Sequence, residues 1–297
     1  MAPPQEDKIK LVRIAHVCYV HNDMDTAHTF LTDFGLTVAE RRDDKIFYKG
    51  YGRDPFVYCA IKGAEKSFGG AAFVVESLED LEKASKTLPK ASAVETLDAP
   101  GGGQRVTFYD PVDGFPFHLV YGQKEEEPGK DYAELDYNYP QHKNRDVNRT
   151  QRFEIGPAMV HKLGHFGCCV TDFDRALTFY TTYFNLKPSD LVHNENDKNI
   201  TTFLHIDRGM QKVDHHTFFF FEGPKFHVHH SSFEVHDFDA QSLGHQWLRS
   251  KDYDLVWGVG RHVLGSQIFD YWWDTSGFMV EHYGILKHFL TNKKILS

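Results

Sequence analysis

The sequence holds 297 residues, 41% of them hydrophobic and 14% aromatic, with 33 Lys and Arg against 42 Asp and Glu for a formal charge of -9. This is enough apolar material for more than one core of ordinary size, so two domains are the starting expectation. The basic residues form no block and no run approaches the roughly 20 apolar residues that span a bilayer, which argues against nucleic acid, anionic membrane surfaces and membrane insertion.

Four cysteines, Cys18, Cys59, Cys168 and Cys169, are too few and too scattered for a disulfide framework and are expected to be reduced thiols. The first ten residues carry neither the apolar stretch nor the cleavage site of a signal peptide, so a soluble, cytoplasmic protein is expected. The composition is also rich in histidine, with 19 residues.

In chain order, Val12–Val20 is the first predicted strand. An acidic turn at Asn22–Asp25 and an amphipathic helix over Thr26–Asp33 follow, closing at Phe34–Leu36. Gly69–Val75 is a further strand, and Ser77–Leu81 begins another helix. The glycines at 101–103 lack the strand-to-helix context of a phosphate loop and read as a hairpin turn. A hairpin from Arg105 to His118 turns at Gly114 and ends at Tyr121–Gly122. Residues 123–157, with the acidic run Glu125–Glu127 and several prolines, read as a linker or an arm laid over the surface.

The same order of signals then recurs. Val160–Val170 is the opening strand, Thr171–Asp174 the acidic turn, and Arg175–Tyr183 the helix, closing at Phe184–Leu186. His229–Val235 matches Gly69–Val75 and precedes a helix from Asp237 through Leu248. Gln267–Glu281 matches the N-terminal hairpin, with Gly277 at the turn and Tyr283–Gly284 at the close. The chain is thus internally duplicated. The run Phe218–Phe221 and the pair Trp272–Trp273 are expected to pack as core, with one face of each available to a pocket. From Ile285 the tail alternates apolar and basic residues and reads equally as a helix or a lid.

Three potential metal donors of the second copy, His165, His230 and Glu281, fall at repeat-equivalent strand positions. Two neutral imidazoles and one carboxylate are the donor set of non-haem Fe(II) sites that keep positions open for substrate and oxygen, and the lack of thiolates argues against structural zinc. In the first copy the equivalent positions are His16, Gly70 and His118, so a ligand is missing and that half is expected to bind no metal. His227 and His229 flank His230 and would replace it only in a shifted register.

The order of elements, the Leu163–Phe166 start, the His229–His230 pair and the stretch from Gly260 to Glu281 resemble the type I extradiol catechol dioxygenases of the vicinal oxygen chelate superfamily. The resemblance runs from about Val12 to Tyr283 and is strongest in the second half. It implies an α+β fold of four βαβββ modules paired into two incomplete barrels: a metal-free domain over 1–122, the linker over 123–157, and a catalytic domain with its tail over 158–297. It implies Fe(II), with Mn(II) as the alternative, held by His165, His230 and Glu281, and a reaction of a catechol-type substrate with O2 that opens the aromatic ring. His262 and Tyr271 would hydrogen-bond the reactants, and His216 would act as acid and base, with His215 left open by register. A homo-oligomer is also expected.

Three positions depart from the family pattern: Thr275 stands where Pro is usual, Asp270 where an apolar residue is usual, and Leu264 where many members have Asn. A metal-dependent glyoxalase-like isomerase or lyase using Zn, Ni or Mn, usually with four protein ligands, is the competing enzyme class. A non-catalytic binding protein of the bleomycin-resistance kind is the competing non-enzyme.

Overall fold

A computed structural model describes residues 7–129, 135–284 and the backbone of 288–290. The first half comprises β1 (Leu11–His21), α1 (Met24–Asp33), β2 (Thr37–Arg41), β3 (Lys45–Lys49), β4 (Tyr58–Lys62), β5 (Ser67–Val75), α2 (Leu78–Thr87), β6 (Glu95–Thr96), β7 (Gln104–Tyr109) and β8 (Pro116–Tyr121). The second comprises β9 (Val160–Val170), α3 (Phe173–Tyr183), β10 (Leu186–His193), β11 (Asn199–Ile206), β12 (Lys212–Asp214), β13 (Phe218–Glu222), β14 (His227–Val235), α4 (Phe238–Ser250), β15 (Leu255–Arg261), β16 (Ile268–Trp273), β17 (Met279–Gly284) and β18 (His288–Leu290).

Each half builds one eight-stranded sheet. The orders are β2-β3-β4-β1-β5-β8-β7-β6 and β10-β11-β13-β9-β14-β17-β16-β15. In both, two βαβββ modules meet along one antiparallel central pair, β1 with β5 and β9 with β14. The fold is α+β, as expected from the vicinal oxygen chelate resemblance. Among the described residues, the one further strand pair is β12 with β18, which ties His288–Leu290 of the tail back to Lys212–Asp214. The rest of the tail, 285–287 and 291–297, lies outside the described residues.

Local chemistry explains where the helices begin. Asp23 accepts from the backbone N–H groups of Asp25 and Thr26, and Asp172 from that of Arg175, so both residues are N-caps. Helices α1 and α3 therefore start two residues before the expected Thr26 and Arg175. The apolar periodicity does not register a first turn that is held by its cap. The turns at Gly114 and Gly277 are also alike, with φ of 78° and 75°. In each an aspartate, Asp110 or Asp274, collects the backbone N–H groups of the turn. Glycine is required there because an L side chain disfavours the left-handed region.

The apolar interior is continuous between the halves: a single cluster of buried side chains runs from Ile9 and Tyr19 through Phe117 and Phe166 to Phe218, Trp272 and Val280. Polar contacts add to it. Asn185 bonds both backbone groups of Leu11, Tyr19 Oη lies 2.7 Å from Ser231 Oγ, and His21 reaches Ser276 Oγ at 2.7 Å. Along the arm, the backbone N–H groups of Lys124, Glu126 and Gly129 donate to Gly101, Arg53 and Tyr51, so this part follows the surface of the first sheet. Glycines 101–103 form the turn of the β6–β7 hairpin, all at positive φ. All four cysteines are buried free thiols, and Cys18 faces Cys59 directly in the β1–β4 register.

Candidate metal centre and its cavity

The strand order β9-β14-β17 brings the three donors together. His165 on β9 is register partner of Ser232 on β14, which is in turn partner of Glu281 on β17. Cross-strand partners share a face, and His230 lies two residues before Ser232 on the same face of its strand. The three side chains therefore converge over Ser232, whose small hydroxymethyl group leaves room between them.

The donor atoms touch one another. His165 Nε2 and His230 Nε2 lie 3.1 and 3.2 Å from Glu281 Oε2 and 3.3 Å from each other. All three residues are buried. The two carboxylate oxygens of Glu281 have no satisfying hydrogen bond. Buried acceptors are costly unless paired, and a cation at the centre of three converging lone pairs satisfies them together. Two imidazoles and one carboxylate suit a divalent ion of intermediate hardness. Among the described residues this is the only group of three or more such side chains close enough to share an ion.

Electrostatics favour the same state. Burial alone would raise the Glu281 carboxyl, but the imidazoles of His165, His230 and His262 hold it well below the usual carboxylate range. Burial lowers His165. The candidate ligands are thus a charged carboxylate and, at His165, a neutral imidazole, the forms that metal binding requires.

Behind the site, His230 Nδ1 lies 2.7 Å from His229 Nδ1. His229 is held down to about 3 by burial and then by the adjacent His230, so it stays neutral and can accept. His229 thus lies behind the candidate ligand His230, outside the converging triad, and His227 is exposed at the strand end.

In front lies a cavity of about 650 Å³, mostly apolar, lined by Phe203, Phe219, Trp257, Leu264 and Met279 together with the polar groups of the site. Its size suits a ligand of one or two rings. His216, His262 and Tyr271 all line it, as do His165 and His230. The His216 ring centroid is 4.2 Å from that of His165. Burial, then the neighbouring imidazoles of His165 and His215, holds His216 well below the usual histidine range. His262 Nε2 is 2.9 Å from Tyr271 Oη and 3.7 Å from Glu281 Oε1. Tyr271 is pushed up by burial and then by Glu281. His215, the alternative to His216, does not line the cavity and reaches Asp190 instead.

Phe219 supplies the cavity face expected of the Phe218–Phe221 run, while Phe218 and Phe220 are core. Of the tryptophans, Trp272 is wholly buried, as expected of core, whereas Trp273 is exposed, and neither lines the cavity. Of the three departures from the family pattern, Leu264 reaches the cavity; Asp270 accepts instead from His245 and Trp272 behind the sheet. Sequence reasoning missed Trp257, Phe203 and Met279 as lining residues. Lone apolar residues carry no signal that separates a pocket wall from a core.

In the first half, His16, Ala72 and His118 occupy the register of His165, Ser232 and Glu281. Both His118 nitrogens are engaged, by Thr107 Oγ1 at 2.9 Å and the Gly69 carbonyl at 3.0 Å. A Cβ on Gly70, the counterpart of His230, would lie only 2.6 Å from His118 Nε2. The space of the second ligand is filled.

A model of the glyoxalase/bleomycin resistance protein/dioxygenase superfamily matches residues 13–119 and 162–282, once in each half. The chain belongs to this superfamily. Superfamily relatives include metapyrocatechase 2 of Cupriavidus necator, 27% identical over 95% of this chain and 83% of that protein, and the biphenyl-2,3-diol 1,2-dioxygenase of Paraburkholderia xenovorans, 27% identical over 91% and 86%. Among solved superfamily structures, homoprotocatechuate 2,3-dioxygenase of Brevibacterium fuscum in complex with 3,4-dihydroxyphenylacetate superposes with a TM-score of 0.78, covering 97% of this chain and 85% of that one at 17% identity. A Mn(II)-bound glyoxalase from Novosphingobium aromaticivorans gives the same TM-score at 20% identity, covering 96% and 86%. The superfamily fold thus accommodates both chemistries.

Proposed function

We propose that the protein is an extradiol dioxygenase, which cleaves the ring of a catechol beside its two hydroxyls and places both atoms of O2 in the product. The observation that carries this reading is a buried two-histidine, one-carboxylate triad opening onto an apolar cavity that also presents His216, His262 and Tyr271. Three protein ligands rather than four leave room for a bidentate diol and a gas. His165, His230 and Glu281 would hold Fe(II), with Mn(II) as the alternative. When bound, the ion supplies Lewis acidity toward the vicinal hydroxyls and the redox capacity that a reaction with O2 needs.

The remaining steps belong to the protein. His216, neutral and facing the cavity, takes a proton from a catechol hydroxyl and returns it as the ring opens. Tyr271, whose phenol stays protonated, donates a hydrogen bond into the site, and His262 orients it from 2.9 Å. The apolar walls exclude water and accept an aryl or alkyl substituent. Residues 158–297 would form the catalytic domain and 1–122 its metal-free partner, joined by the arm over 123–157.

The test is anaerobic purification with quantification of bound metal, followed by Fe(II) addition and a panel of substituted catechols, recording O2 consumption and near-visible absorbance. The reading expects O2 uptake with a coloured ring-opened product, falling by at least about 1,000-fold in Glu281→Ala and His165→Ala. Stoichiometric zinc or nickel without O2 uptake from any catechol would replace it with the isomerase reading.

A further inference from the structure

Adjacent histidines at 215 and 216 both lie buried, and only the second faces the cavity. The first is bonded at both ring nitrogens. His215 Nε2 lies 2.9 Å from Asp190 Oδ2, and His215 Nδ1 lies 3.1 Å from His216 Nδ1. The three groups form a line from the partly exposed Asp190 of β10 to the cavity wall.

Hydrogen counting gives this line a direction. A carboxylate only accepts, so the Asp190 contact requires the hydrogen on His215 Nε2. With one ring hydrogen, placed on Nε2, His215 then presents a bare Nδ1. Only one hydrogen fits between the two facing Nδ1 atoms, and it must come from His216. His216 is consequently the Nδ1–H tautomer, with its Nε2 lone pair left for the cavity. A base that takes a substrate proton needs that lone pair; the opposite tautomer could only donate.

The surroundings fix the geometry. Ser189 Oγ donates to the His215 carbonyl at 2.5 Å and contacts His205 Nδ1 at 2.6 Å, holding the backbone at the centre of the line. Gly265 closes over the ring, where a Cβ would lie 3.2 Å from His215 Nδ1.

We propose that Asp190 is a positioning residue, acting through His215 to set the tautomer of His216 and so its competence as a base. The inference rests on the dioxygenase reading for its catalytic meaning, but the tautomer can be observed without catalysis. An orienting carboxylate behind an imidazole is a general device for holding a catalytic base in one form.

The experiment is long-range ¹H–¹⁵N correlation on histidine-labelled, metal-free protein, comparing wild type with Asp190→Asn, Asp190→Glu and His215→Gln. Wild type and Asp190→Glu are expected to show His216 with Nδ1 protonated and Nε2 bare. Asp190→Asn can donate to His215 Nε2 and so permits the reversed line; the expected result is a population of Nε2–H His216 that is absent in wild type. His215→Gln, which does not depend on Asp190 folding effects, should likewise mix the tautomers. In the Fe(II)-loaded enzyme, Asp190→Asn should lower kcat about tenfold to a hundredfold with KM and metal content unchanged, and Asp190→Glu should restore it. A wild-type His216 protonated at Nε2, a doubly protonated His215, or an unchanged tautomer in both Asp190→Asn and His215→Gln would overturn the proposal. Wild-type protein that shows the expected tautomers but turns over no catechol would leave Asp190 in place and refute the dioxygenase reading alone.

Discussion

His230 can offer Nε2 to a metal only if its single hydrogen sits on Nδ1, and His229 is the group that accepts it at 2.7 Å. Outer partners of this kind commonly account for 10–100-fold in metal affinity. His229→Phe keeps an aromatic ring at the position and removes the acceptor. Its affinity for Fe(II) or Mn(II) is expected to fall about 10–100-fold, with the apo-protein's thermal midpoint changed little, as read by competition with a chromophoric chelator and by calorimetry. The three converging donors themselves were legible in the sequence because duplicated strands preserve which positions face inward. The choice between His215 and His216 was not, since it depends on a cavity on one side and Asp190 on the other. Asp190 left no trace in the sequence; its contact with His215 spans β11 and β12 and is purely tertiary.

At the level of strands and helices, duplication made most of the architecture readable, and the same alignment set Gly70 opposite His230. The helix starts were misplaced by two residues because the aspartate caps act through one or two local hydrogen bonds, not through periodicity. The short strands β12 and β18 carried no pattern to read. Gly70 itself now has a structural role: with φ of 118° and no space for a Cβ beside His118 Nε2, it is fixed by its own half. Gly70→Ala should destabilise the protein by about 2–4 kcal/mol through the unfavourable φ and the collision, read from chemical denaturation. Metal binding in the other half should be unaltered in the folded fraction. Grafting a histidine there would not restore a second centre, because His118 already fills the space.

Across the whole molecule, the junction between halves carries a pH signature. His21 is fully buried, with one ring nitrogen 2.7 Å from Ser276 Oγ of the other half and the other 2.8 Å from Tyr58 Oη. Burial holds it down to about 4. The unfolded chain takes up this proton near 6.5 and the native protein only near 4, so stability is complete above 6.5 and lost as pH falls through that window. The loss from this one group is at most about 3 kcal/mol. Urea denaturation between pH 7.5 and 4.5 should show falling stability, and His21→Gln should flatten the slope.

The continuous interior gives the duplication a further meaning. The two halves lie on one chain, so the contact between their interiors is intramolecular and does not weaken on dilution. Packing of the two copies does not require each of them to carry every donor. In the first copy Gly70 and His118 pack where the second places His230 and Glu281, so one half serves as packing partner while the other carries the candidate ion-binding triad over a shared interior.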